Sequence, residues 1–157
     1  MHTSWRLSSV IYIDANVMYS YLFETPMSES AERILEYPNK VTSKTTINEA
    51  IYVTFRRLAK EKGVTNIYDA KAFAKSQEGR LILKRAYSLV LELVNLSGIE
   101  IIEEEDDIET IMTVSEKFGL LPNDAIIVAT CLKHGITEIA TFDRDFEGIK
   151  FLKVIGG

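Results

Sequence analysis

A chain of 157 residues, 46% hydrophobic and 26% charged with a net charge of −5, has the length to bury one substantial core and the composition of a folded domain, which excludes disordered and fibrous classes. No run reaches the roughly 18 uninterrupted apolar residues of a membrane span. The opening MHTSWRLSS lacks the apolar core of a signal peptide, and the lone Cys131 has no internal disulfide partner. The expectation is a single cytoplasmic domain over residues 1–157, with no membrane association.

VIYI (10–13) is short, β-branched and aromatic, the pattern of a buried strand, and Asp14 follows it directly. Residues 15–23 are expected to be helical up to the Thr25-Pro26 break. MSESAERILEY (27–37) carries apolar residues at helical spacing behind Ser28, a candidate cap, and Pro38-Asn39 ends it. KVTS (40–43) reads as a second strand. TTINEAIYVTFRRLAKEKG (45–63) is a helix with Ile47, Ala50, Ile51, Phe55 and Leu58 on one stripe and Gly63 at its stop.

Residues 67–75 and 79–96 form two further predicted helices. In the second, Ile82, Ala86, Leu89, Val90 and Leu93 share a face, and the apolar residues beyond that face predict a second contact surface such as a homodimer interface. IEII (99–102) is a third strand, followed by a helix over 106–118. Pro122 opens another helix that runs to His134, with Gly135 past its end. EIATF (138–142) and KFLKV (150–154) complete the strands. Short apolar strands separated by helices predict an α/β domain with a mostly parallel sheet covered on both faces. In such sheets ligands bind outside the carboxyl ends of the strands.

Four acids occupy that kind of place. Asp14 ends the first strand, Glu49 lies early in the helix after the second, Asp124 opens the helix LLPNDAIIVATCLKHG, and Asp143 follows the fourth strand in TFDRDF. Each alone has an ordinary explanation as a helix cap, a dipole partner or a turn former. Together they crowd carboxylates near a helix apolar enough to be buried, and such charges repel unless a cation sits among them. Hard oxygen ligands without cysteine or histidine suit Mg²⁺ or Mn²⁺, whose chemistry with phosphates is phosphoryl transfer. The sequence has no Walker-type glycine loop, no GxGxxG and no HExxH.

Charge is unevenly spread. Between Arg56 and Arg85 nine bases face three acids, so a basic segment sits on an acidic body. Such a segment is a candidate footprint for a polyanion. The densest acidic run, EEEDDIE (103–109), reads as a solvated helix start, because consecutive residues cannot all face one cation. His134 reads as a helix C-terminal residue and Cys131 as core. The aromatic Tyr12, Tyr19, Tyr21 and Phe23 read as packing, and Trp5 has no role that the sequence supports.

YIDANVMY, TSKTTINEAIYV, LLPNDAIIVATCLKHG and IATFDRDFEGI, in that order, resemble the four signature segments of the PIN-domain family, especially its VapC-type toxin ribonucleases. The resemblance spans residues 10 to 154. It implies a three-layer α/β/α sandwich that cleaves single-stranded RNA, with metal-site acids at Asp14, Glu49, Asp124 and Asp143 and an acidic neighbour at Asp145. Asn16, Thr141 and either Thr45 or Thr46 match polar positions that support such a site. The resemblance also implies a homodimer and an antitoxin protein partner. The stretch between Glu49 and Asp124 is longer than in compact VapC toxins and contains the basic segment, where Arg56, Arg57, Lys60, Lys84 and Arg85 are candidate RNA contacts. Two rivals remain: a PIN-like binding or regulatory module that no longer cuts, and a phosphotransferase with Asp14 as nucleophile. The second lacks the usual Asp-x-Asp, since Asn16 stands in its place.

Overall fold

A computed structural model describes residues 9–156; Trp5 lies outside them. Its five strands, β1 (Ile11–Ile13), β2 (Lys40–Thr42), β3 (Ile99–Ile101), β4 (Glu138–Ala140) and β5 (Lys153–Ile155), form one sheet in the order β3-β2-β1-β4-β5, with every pairing parallel. The helices are α1 (Ala15–Leu22), α2 (Ser28–Leu35), α3 (Lys44–Lys60), α4 (Ile67–Lys75), α5 (Gln77–Leu96), α6 (Ile108–Phe118) and α7 (Pro122–His134).

Side chains alternate across a strand, and β1 uses this to build two cores. Ile11 and Ile13 face the residues buried by α1 to α5, including Val17, Ile51, Phe55 and Val90. Tyr12 faces the opposite core, with Ile127, Val128 and Cys131 of α7, Val114 of α6, Phe146 and Ile149. The result is the expected α/β/α sandwich. The predicted stripe of α3 is inside, with Ile47, Ala50, Ile51 and Phe55 buried and Leu58 packed against them. Among the described residues no helix is long and apolar enough to cross a membrane.

Three local expectations change. Ser28 is the first residue of α2 rather than its cap: its hydroxyl accepts from the Thr25 N–H (2.9 Å) and donates to the Ser20 carbonyl (2.7 Å), closing the turn after α1. α5 starts earlier, at Gln77, because Ser76 caps it by accepting from the Gly79 N–H (2.9 Å). Gly79 is required there, since a Cβ would stand 1.6 Å from the Phe73 carbonyl oxygen at the end of α4. β5 begins only at Lys153, because residues up to Leu152 are still in a turn closed by the Leu152 N–H on the Ile149 carbonyl (3.0 Å).

Candidate active site

From β1 the chain moves outward to β2 and β3, then returns to the other side of β1 as β4 and β5. The strand order thus reverses between β1 and β4, where an open parallel sheet has its crevice. Asp14 and Thr141 stand at that point. The Asp14 N–H extends the ladder to the Ala140 carbonyl (3.0 Å), and its side chain caps α1 through Oδ1, which accepts from the Ala15 N–H (2.8 Å). Its Oδ2 accepts from the Thr141 hydroxyl (2.8 Å).

Thr141, itself buried, is the hub of this arrangement. While donating to Asp14, its Oγ1 accepts from Asn16 Nδ2 (3.1 Å) and from the Asp143 N–H (3.1 Å). Asn16 Oδ1 accepts from the Phe142 N–H (3.1 Å), so one amide holds both the Thr141 side chain and the backbone just after it. Asp143 Oδ1 in turn accepts from the Asp145 N–H (3.1 Å). The loop after β4 is therefore tied to the start of α1, and Asp143 and Asp145 project from it.

Asp14 is only 6% exposed, and burial raises its carboxyl above the usual range against the lowering effect of the Thr141 and Ala15 bonds. Burial pushes Asp124 up to about 7, reinforced by the charges of Asp14, Asp145, Asp143 and Glu49. Glu49, whose carboxylate is partly shielded on a largely exposed side chain, is raised by burial and then by Asp14 and Asp143. Asp145 is raised chiefly by its hydrogen bond to Asp143 and by that residue's charge. Carboxylates from five places in the sequence therefore feel one another, with no lysine or arginine among the causes.

Among the described residues no three such groups are gathered tightly enough to share an ion as placed. The donor set, all carboxylate oxygen with excess negative charge, fits a hard divalent cation. Asp14, Glu49, Asp124 and Asp143 would hold it, with Asp145 beside them.

The Asp124 shift has a consequence for stability. Its folded value of about 7 lies above the unfolded value of 3.8, so the native state holds the proton more tightly. The stability cost is absent below about pH 4, grows as pH rises, and is complete above about pH 7. Discounted for a half-buried group, the loss is about 1–2 kcal/mol. In EDTA, Asp124→Asn should therefore be more stable than the natural protein at pH 8 and close to it near pH 3, as read by urea unfolding at both values.

Not every expected residue reaches this cluster. Thr46 shares its buried hydroxyl with the Tyr12 hydroxyl (2.8 Å), and Thr45 bonds Glu104 through its N–H (2.8 Å) and its hydroxyl (3.0 Å). The cause lies in the cap of α3. Ser43 occupies the capping position, yet its side chain donates to Glu104 Oε2 (2.7 Å) instead, so an acid from the loop after β3 caps α3 in its place. Glu104 thus departs from the solvated reading of EEEDDIE, whereas Asp107 caps α6 by accepting from the Thr110 N–H (3.1 Å) and Glu103 pairs with Lys133 (3.4 Å). His134 bonds the Glu103 carbonyl through Nε2 (2.6 Å).

The basic candidates divide. Arg56, Arg57 and Lys60 line an open groove of about 1130 Å³ between α1 and α3 that begins at Glu49 and Asn16. Arg57 is held there by the Tyr19 hydroxyl (2.9 Å), the Phe23 ring (4.8 Å) and Glu61 (3.6 Å). Lys84 and Arg85 are exposed on α5 and do not line it.

The PIN domain family model matches residues 11–152. "Ribonuclease VapC6" of Methanocaldococcus jannaschii is 27% identical over 154 residues, covering 94% of this chain and 97% of the relative. The long stretch between Glu49 and Asp124 is thus compatible with a near full-length match. Among solved structures, the sarcin-ricin loop cleaving toxin VapC20 of Mycobacterium tuberculosis superposes with a TM-score of 0.60 at 16% identity, covering 92% of this chain and 98% of that one. A toxin-antitoxin complex from Klebsiella pneumoniae contains a chain with a TM-score of 0.54 at 24% identity, covering 94% and 96%.

Proposed function

Since the chain belongs to the PIN-domain family, we propose that it is an endoribonuclease that cleaves single-stranded RNA with Mg²⁺ or Mn²⁺ and serves as the toxin of a toxin–antitoxin pair. The observation that carries this reading is the cluster of acids from four separate elements at the β1/β4 crevice, mutually perturbed and without a basic counterion. The named ribonuclease relative and the toxin–antitoxin structure support the substrate and the antitoxin partner.

When bound, a divalent ion supplies Lewis acidity for water activation and for the developing charge on the leaving oxygen. The rest is the work of this chain. Asp14 is immobilised by two hydrogen bonds from opposite sides, so its carboxylate is pre-oriented. Asn16 and Thr141 are the positioning residues that couple Asp14 to Asp143 across the crevice. Asp124, half-titrated near neutrality without a metal, would have to be ionised to hold a cation. Arg56, Arg57 and Lys60 hold the strand by its phosphates, while Lys84 and Arg85 add to the surrounding positive field, so affinity falls with salt.

Incubation of the purified protein with single-stranded RNA tests this reading: strand scission with Mg²⁺ or Mn²⁺ and none in EDTA is expected, and RNA left intact with both metals would refute it. The second apolar face of α5, where Leu81, Tyr87 and Leu91 are exposed, supports a homodimer. Light scattering at micromolar concentration should give twice the 17.8 kDa chain mass, and a monomer there would remove the homodimer from the proposal.

A further inference from the structure

We propose that the groove between α1 and α3 is a nucleobase subsite, in which Tyr52 stacks on an unpaired base flanking the cut. This rests on the ribonuclease reading above and adds to it the feature that selects single strands.

Glu49, Tyr52, Arg56 and Lys60 follow one another at steps of three, four and four residues along α3, so they share one face, and all four line the groove. At 1.5 Å rise per residue, Arg56 lies about 10 Å along the axis from Glu49, with Tyr52 between them. The face therefore presents, in order, a carboxylate of the acid cluster, an aromatic ring, and two cations. A strand whose scissile phosphate reached the acids would pass its next base over the ring and its next phosphates over the cations.

Tyr52 is 47% exposed yet not free to swing. Its hydroxyl accepts from Arg56 Nη1 (3.0 Å), Arg56 Nη2 donates to the Thr65 carbonyl (2.9 Å), and the guanidinium carbon lies 5.8 Å from the ring centroid. Ring and cation are thus fixed in place before a ligand arrives, which lowers the ordering cost of binding. On the opposite wall the Tyr19 ring already packs against Phe23, with centroids 5.1 Å apart, and is partly buried, so Tyr52 is the more exposed ring lining the groove. Exposed aromatic faces interleaved with cations are how single-stranded nucleic acid is held, because an unpaired base has a free face to offer and a base stacked within a duplex does not.

The test uses short single-stranded oligoribonucleotides, each with one abasic position, scanned across the cleavage site. With the natural protein, one abasic position should raise KM roughly 10- to 100-fold. Tyr52→Ala should raise KM for intact RNA by a similar factor, with the abasic position then adding nothing, whereas Tyr52→Phe should keep most of the affinity. A flat scan, or an abasic penalty that survives in Tyr52→Ala, overturns the subsite. So does an unchanged KM in Tyr52→Ala, the result expected if the groove takes a protein segment instead of RNA. Fluorescence anisotropy of the same oligonucleotides on Asp14→Asn reads the subsite without cleavage, so it still answers if the natural protein cuts no RNA and the nuclease reading itself falls. Tyr52 is a surface residue, and an unaltered circular dichroism melt confirms that the variants are folded.

Discussion

Asp14→Asn should reduce RNA cleavage by at least about 10³-fold while leaving the protein folded. The expectation follows from what the substitution keeps and what it removes. Asparagine is as good a helix cap as aspartate, so the bond from the Ala15 N–H survives and α1 keeps its start. The Thr141 hydroxyl loses its acceptor at Oδ2, but Thr141 still accepts from Asn16 and from the Asp143 N–H. What disappears is one negative charge at the most buried position of the acid cluster, 6% exposed. Because burial already disfavours that charge, the metal-free variant should be at least as stable as the natural protein. Loss of activity without loss of stability separates a functional carboxylate from a structural one. Asp124→Asn should behave the same way, and undiminished cutting by both variants would remove these acids from the chemistry.

Phe146→Ala should have the largest effect on stability, about 3–5 kcal/mol by urea unfolding. Phe146 is fully buried beside Ile139, Ile149 and Leu152 in the core beneath α6 and α7, and it follows Asp143 and Asp145 directly in the chain. The TFDRDF segment therefore has one end fixed by Thr141 and the other by a buried ring, with two acids suspended between. Removing the ring leaves a cavity and frees the second anchor, so cleavage should fall together with stability. A loss below about 1 kcal/mol would mean that the loop is held by Thr141 and Asn16 alone.

Much of this is legible from residue order. The stripes of α3 and α5 are visible because burial on one side of a helix imposes a periodicity that no other structure shares. Asp14, Asp124 and Asp143 are visible because each adjoins an apolar run that fixes its place at a strand or helix end. Glu104 is not, because its partners Ser43 and Thr45 lie about 60 positions earlier and only the parallel pairing of β2 with β3 brings them to one edge. A serine ending one strand and an acid just past its neighbour would have been the signal. Charge counting likewise marks a basic segment without dividing it. Lys84 and Arg85 lie on α5 and do not line the groove between α1 and α3, and that separation belongs to tertiary structure. Tyr52 is hidden for a simpler reason: one tyrosine on an amphipathic helix looks like any other until its neighbours across the groove are known.

The central position of β1 also bears on how the protein is made. Asp14 is synthesised early, yet its ladder partner Ala140 and its hydrogen-bond donor Thr141 come about 127 residues later in the chain. Such long-range parallel pairing is slow to form and cannot begin until both strands are available. A ribosome still holding residues 138–145 therefore carries a chain without an assembled acid cluster. On the ribonuclease reading proposed above, this delay separates synthesis of the chain from assembly of its acid cluster.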